Sequence, residues 1–437
     1  MRRTDLTTFL IPFVYFIAGA SSLAGVATTF FYKDDLGLTL EQLGILSSIA
    51  IIPWSIKPMY GILSDRVPVW GLRRKPYLIL SGFLSSIGYL SLATWVTDFW
   101  GVLFAEVVAS LGFALADVIV DGIVAERSKS HKAAGKLQSI CRAAIMFGAL
   151  IVAYSSGILT ESIGARRVFL LTATLPLLTS LIAVFLKELP AEITVWNWRK
   201  TWANFKSALS PAILWSALFL FIWRATPSSG GALGYYMIDE LHFDPEFFGR
   251  LSVISRFMSI VGVLIFRKWL IAVPMKKLLC GIVFASVILS LPTLGLVYRW
   301  YEILGMSPKF FAMADTLISG PLTEIGFLPL LVLVARVCPK GVEATVFAVL
   351  ASIMNIGLAI SDIGGASLVH FFDIHQATET LAANYTNLDK VLWIAILSSF
   401  LPLPLLPFLP ETRTEEELVS DISPSAISNQ ITGKEMV

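Results

Sequence analysis

Asp117 and Asp121 stand four residues apart in the run ADVIVDGIVAERSKSHKAAGKLQSICRAAIMFGAL (116–150), and Arg142 follows a basic turn in the same stretch. Residues four apart share a helix face, so both carboxylates can address one neighbour. The spacing predicts that Arg142 pairs with one acid and leaves the other for a proton or a ligand; a permanent lock between the two helices is the structural alternative. Three more charges interrupt apolar runs. Arg224 precedes TPSSGG, whose proline and glycines predict a helix break, the kind of polar interruption that marks binding sites. Arg256 and Glu324 each stand mid-run, where they are either a pair with one another or free for other work. Asp117, Asp121, Arg142, Arg224 and Arg256 are therefore candidates for holding a charged ligand. A carboxyl in an apolar setting can hold a proton, which makes Asp117, Asp121 and Glu324 the proton-coupling candidates. Catalysis is not expected. His131 falls in a turn, His242, His370 and His375 fall at run edges, and no histidine–acid or metal cluster can be assembled from them. Cys141, Cys280 and Cys338 are too scattered for a disulfide framework. No GxxxxGK[ST] loop is present, so no cofactor is expected and ATP does not drive the protein directly.

The elements that position these charges follow from composition. Of 437 residues, 56% are hydrophobic and 15% charged, too few charges to solvate a soluble globule of this length. Apolar runs long enough to cross a bilayer as helices recur at 7–31, 40–63, 76–96, 99–125, 136–159, 166–187, 211–238, 246–266, 275–297, 310–337, 342–370 and 388–409. They lack the alternation of a β-barrel. The expectation is an all-α membrane protein of twelve transmembrane helices, with the lipid bilayer as its surroundings. Of the 33 basic residues, 22 fall on one face when alternate loops are assigned to the cytoplasm, 7 fall on the other and 4 within helices. Positive charge marks the inner side, which puts both termini in the cytoplasm. A net charge of +2 gives no sign of nucleic-acid binding.

The chain divides into an amino-terminal bundle (1–187), a cytoplasmic linker (188–210), a carboxy-terminal bundle (211–410) and a polar tail (411–437) expected to be disordered. VAERSKSHKAAGKLQS, between the fourth and fifth helices, is echoed 210 residues later by VARVCPKGVEATVFAV. Such a repeat predicts two six-helix halves related by an axis along the membrane normal. At the inner end of the second helix, KPMYGILSDRVPVWGLRRKPYLIL (57–80) supplies gating candidates: Lys57, Asp65, Arg66, Arg73 and Arg74. An aspartate at a helix end can meet another helix's positive terminus, and the arginines can clamp carboxylates of the facing bundle. Topology alone accounts for the basic residues but not for Asp65. Asp362 is an outer-gate candidate or simply solvated, and Asp98 and Asp315 read as wetted outer-end residues.

The 57–80 stretch resembles the motif of the major facilitator superfamily, although VPVWGL lengthens its loop. Together with DVIVDGIVAERS it resembles the folate–biopterin transporter family of cyanobacteria, plant plastids and trypanosomatids. The resemblance implies the major facilitator fold and secondary active transport of a folate or pterin by alternating access, coupled to protons. It implies a monomer in a bacterial plasma membrane, or in a plastid envelope if the source is a plant. Two other readings stay open on the residues alone: a transporter of another organic anion, and a non-transporting nutrient sensor of the same fold.

Overall fold

Proline and glycine cut the apolar runs more finely than their lengths suggest. The computed structural model describes residues 6–127, 131–188, 190, 210–229, 231–338, 343–378 and 381–410. Among these residues, eleven helices are long and apolar enough to cross a membrane. In chain order the segments are α1 (Phe9–Asp35), α2 (Leu40–Arg66), α3 (Lys75–Thr94), α4 (Phe99–Val124), α5 (Ile140–Ile163) and α6 (Ala165–Val184). The shorter α7 follows as Pro211–Ala225 and, past a break, Ala232–Asp239. Then come α8 (Pro245–Leu270), α9 (Met275–Val297), α10 (Pro308–Val337), α11 (Val346–Phe371) and α12 (Leu388–Phe408). The described residues form no strand beyond two isolated bridges. The tail beyond 410 and most of the 188–210 link lie outside the described residues.

The breaks have local causes. In α2 the helix restarts twice, at Ile52 and at Lys57, where Pro53 and Pro58 sit in the first turn of each new segment and withhold no needed amide. In α7 the first segment ends at Ala225, just before TPSSGG, as the composition of that stretch predicts. In α10 the break falls at Gly320–Pro321, and a fresh helix begins at Leu322.

Within lipid the helices are held by close contact and polar side chains rather than by escape from water. Gly19 of α1 and Gly148 of α5 let those two backbones touch: a Cβ on Gly19 would lie 2.0 Å from the Ile145 carbonyl oxygen. On α3, Ser85 and Ser86 donate to the Ala109 carbonyl of α4 and the Ala173 carbonyl of α6.

The two halves meet along a seam that is tight toward the outer face. There Lys33 of α1 pairs with Asp239 of α7 at 2.5 Å. Ser48 of α2 donates to the Ala359 carbonyl of α11, and Gln376 donates to the Leu38 carbonyl. Tyr154 of α5 donates to Glu246 of α8. Gly157 of α5 lies on Gly249 of α8, and a Cβ on Gly157 would come within 2.4 Å of the Pro245 carbonyl oxygen. Toward the inner face the same two helices separate around a cavity of about 1130 Å³ lined by Arg142, Phe147, Leu264 and Arg267. The seam is thus tight at the Lys33–Asp239 end and looser around this cavity.

Gly157→Val should therefore wedge the outer seam. Leu40 is buried there in a cluster with Ala232 and Tyr235 of the other half. A cysteine at Leu40, in a background without the three native cysteines, should be shielded from an impermeant thiol reagent. Adding Gly157→Val should raise its labelling rate from outside several-fold; an unchanged rate would mean that the glycine contact does not hold the seam.

Candidate functional site

The charges singled out in the sequence assemble at mid-depth around the seam, with partners that differ from those expected. In the amino-terminal half, Lys57 starts the last segment of α2 and its Nζ donates to Asp117 Oδ2 of α4 at 2.6 Å. Both side chains are 22% exposed, and the indole of Trp54 lies 4.4 Å from the ammonium. One turn further in on α4, Asp121 accepts the Tyr15 hydroxyl of α1 at 2.8 Å. Tyr15, Trp54 and Asp117 share a cavity of about 50 Å³ with Ser85, Phe113 and Thr179.

Arg142 does not pair with either aspartate. It crosses the seam, and its Nη2 lies 2.7 Å from both carboxylate oxygens of Glu324. Glu324 stands in the first turn of the lower segment of α10 and is 8% exposed. The helix amino end created by the Gly320–Pro321 break favours a negative charge there. Phe327, one turn on, puts its ring 5.7 Å from the guanidinium. Arg142 Nε is buried without a hydrogen-bond partner, while 39% of the side chain is exposed toward the inner cavity. Rise per residue puts Arg142 and the aspartates at similar depth along their helices. Depth does not fix which way a side chain points around the axis, and that angle gives Asp117 to Lys57 and Arg142 to Glu324. Of the two alternatives left open for Arg256 and Glu324, the structure does not show the pair. Arg256 is exposed and makes no hydrogen bond or ion pair among the described residues.

In the carboxy-terminal half, Arg224 occupies the last turn of the first α7 segment, where open carbonyls favour a cation. Its Nε is buried without a hydrogen-bond partner. Its charge is felt by Asp362 of α11, but the two make no direct ion pair. The broken strand of backbone is held against α11, where Ser361 donates to the Thr226 carbonyl at 2.6 Å. Asp362 thus belongs to the α7–α11 contact next to Arg224 as well as to the outer part of the seam, where its carbonyl lies beside Gly44 of α2.

The 57–80 motif also rearranges the expectation. Asp65 pairs with Arg74 at 2.7 Å inside its own half, and Arg74 Nη1 donates to Ser64. Gly122 makes room for this arginine, since a Cβ there would lie 2.8 Å from Arg74 Cζ. The carboxylate that gathers the motif is Glu188, which accepts the backbone amides of Arg73, Arg74 and Lys75 at 2.7–2.9 Å and so binds the start of α3. Arg66 is exposed at the end of α2. Asp65 and Glu188 thus bind the start of α3 within its own half. Asp315, expected to be wetted, has a buried Oδ1 with no partner, while Thr293 donates to Oδ2 at 2.9 Å.

Sequence reasoning missed Tyr15, Trp54 and Glu188. Tyr15 and Trp54 lay inside apolar runs, where nothing but three-dimensional proximity sets them apart. Glu188 closes the run that ends at 187, and its place beside α3 comes from the fold.

Comparison with known proteins agrees with this architecture. The chain is 36% identical over 415 residues to the folate-biopterin transporter of Synechocystis sp., covering 92% of this chain and 83% of that one. It is 27% identical to folate transporter 2 of Plasmodium falciparum, covering 95% and 90%. Among solved structures, the D-xylose–proton symporter superposes with a TM-score of 0.68 at 14% identity over 93% of this chain and 98% of its own. The inward-open xylose transporter of E. coli gives 0.65 at 16% identity over 94% and 98%. At such identities the structures establish a shared fold, and it is the transporter fold of the major facilitator type that the helix count and the 57–80 motif led us to expect. The sequence model of the BT1 family matches residues 18–425, from the first helix past the last, and on that match the chain belongs to the BT1 family.

Proposed function

We propose that this protein is a secondary active transporter of folates or pterins, working as a monomer in a bacterial plasma membrane and coupled to protons. The observation that carries the reading is the set of exchangeable charges at the seam. Lys57 and Asp117 answer each other in one half, Arg142 and Glu324 answer each other across the halves, and Arg224 keeps a buried, unpartnered Nε in the other half. Buried ion pairs sit near break-even against their desolvation, so a ligand charge can replace a protein charge at small net cost. Relatives named as folate or folate-biopterin transporters, in a cyanobacterium and in Plasmodium, direct the choice of substrate.

The chemistry of a folate fits the two sides. Its pterin edge offers a ring N–H and a 2-amino group as parallel donors, for which a carboxylate is the matching acceptor. Asp117 or Asp121 meets that edge from the amino-terminal half. Arg224 and Arg256 meet the ionised glutamate end from the carboxy-terminal half, and Arg142 is freed for it whenever Glu324 takes a proton. One elongated ligand then touches both halves. Because it binds one access state better than the other, it shifts the balance between them. Asp117, Asp121 and Glu324 are the acids through which protonation opens these pairs, and Lys57 releases Asp117 in the same exchange. Asp65, Arg66, Arg73 and Arg74 control the inner gate and Asp362 the outer one. The cationic side also fits other dicarboxylate anions; competition by free pterin, which has no carboxylate tail, separates the two readings.

Uptake of labelled folate by a folate-auxotrophic host expressing the chain should exceed that of the empty host and be inhibited by excess unlabelled pterin. No uptake at confirmed expression would overturn the reading. Asp117→Asn and Asp121→Asn should each reduce uptake of both folate and free pterin. Arg224→Ala should weaken folate at least about tenfold, the loss expected for a charge-assisted hydrogen bond, and leave a tail-less pterin nearly unchanged; equal losses would reverse the assigned polarity. Asp65→Asn should slow turnover at normal protein levels, and wild-type turnover would reduce the motif to a topology signal.

A further inference from the structure

Alternating access with a driving proton requires a carboxyl that meets outer water in one state and is sealed from it in the other. Asp117 and Glu324 are each held by a cation in this structure. Glu106 is not. It stands on α4 seven residues after Phe99, about 10 Å below the outer helix end at about 1.5 Å per residue. The Tyr32 hydroxyl of α1 donates to its Oε1 at 2.5 Å, and Tyr89 of α3 lies close by. Among the described residues no cation lies within ion-pair distance of Glu106. The neighbouring charges are committed elsewhere: Lys33 of α1 to Asp239, Glu41 of α2 to His370, and Arg166 of α6 to the carbonyls of Leu92, Thr94 and Val96. On α5, Glu161 accepts the Glu246 amide of the other half. A carboxylate at membrane depth without a counter-charge is costly, whereas a neutral carboxyl can both accept from and donate to a tyrosine hydroxyl.

Two further observations give this acid a route. Tyr32 precedes Lys33, whose pair with Asp239 closes the outer seam, and Tyr235 of α7 faces both residues. The Tyr32–Glu106 contact therefore adjoins the Lys33–Asp239 pair along α1. On the inner side, Glu106 shares one helical stripe with Ser110, Phe113, Asp117 and Asp121, at spacings of four, seven, eleven and fifteen residues. The small cavity beside Phe113 and Asp117 has Tyr15, Ser81, Ser85 and Thr179 among its lining residues and has room for water. Asp315, also seven residues into the fourth helix of its half, differs: its partner is Thr293 of α9, whereas the partner of Glu106 adjoins the Lys33–Asp239 pair.

We propose that Glu106 is the site where the coupling proton is loaded from the outer side. A proton from outer water binds the Glu106 carboxylate while the seam is open, closure of Tyr32 and Lys33–Asp239 seals it, and the proton leaves along the α4 stripe toward Asp117 and the inner cavity. No bond other than O–H is made or broken.

The proposal rests on the transporter reading, and its test separates the two. In proteoliposomes holding the full chain, Glu106→Gln should abolish folate accumulation driven by a pH gradient while keeping folate counterflow at equal pH. Asp315→Asn should keep both. Gradient-driven accumulation in Glu106→Gln, loss of its counterflow as well, or loss of accumulation in Asp315→Asn would each overturn the assignment. Absence of counterflow in the wild type would refute folate as substrate, and Glu106 is then judged without it. The infrared carbonyl band of protonated carboxyls, growing on acidification of the wild type, should lose one component in Glu106→Gln; an identical band in both proteins would overturn the proposal.

Discussion

A charge inside a bilayer must find its counter-charge in protein, and Arg142 finds it in the opposite half of the molecule. That one contact, both oxygens of Glu324 at 2.7 Å from a single guanidinium nitrogen, ties the position of α5 to that of α10 at the depth where the halves begin to part. The break at Gly320–Pro321 supplies the helix amino end that steadies Glu324, and Gly262 of α8 is small enough to let that break press against it, since a Cβ there would lie 2.3 Å from the Pro321 carbonyl oxygen. Helix break, close packing and ion pair depend on one another. Water reaches the arginine from the inner cavity but scarcely reaches the glutamate, so the pair is partly screened and its exchange for a ligand charge is physically accessible.

The outer seam works by a different balance. Its contacts are numerous but individually modest: single hydrogen bonds to carbonyls, the Lys33–Asp239 ion pair, the Glu41–His370 contact, and glycine-on-glycine approach at Gly157 and Gly249. In lipid such contacts contribute about 0.6 kcal/mol each on average, reaching about 1.7. A seam of that kind can close firmly and still open within a working cycle. The within-half contacts differ in kind, as the Asp65–Arg74 pair and the three amides on Glu188 show, because they bind helices that move together.

What the sequence discloses and what it withholds divide along a physical line. Helix number, spans and the α7 break are legible because they depend on run length and on proline and glycine chemistry, both properties of consecutive residues. The depth of Asp117, Asp121 and Arg142 is legible too, since rise per residue is fixed. Partnership is not, because it depends on rotation about each helix axis and on the tilt between helices: Lys57, read as a residue that merely reaches inward, is the partner of Asp117. Asp315 was misplaced for the same reason. Its distance from the helix end suggests water, and its buried Oδ1 shows that it faces α9.

The duplication explains why the central ion pair has to cross the seam. At the 210-residue spacing that relates the α4–α5 turn to the α10–α11 turn, Asp117 corresponds to Phe327 and Arg142 to Ser352. The second half therefore has neither the acid nor the arginine at those positions. Its own acid, Glu324, lies one helical turn from Phe327, and the serine that stands for the arginine donates to the Ala348 carbonyl of its own helix. With no arginine of its own at that site, the second half leaves Glu324 to be answered from the first, and the ring of Phe327 faces the guanidinium that arrives. Because the charges are unequal, neutrality at mid-depth is reached only when the halves are correctly apposed, and this makes the ion pair sensitive to their relative motion.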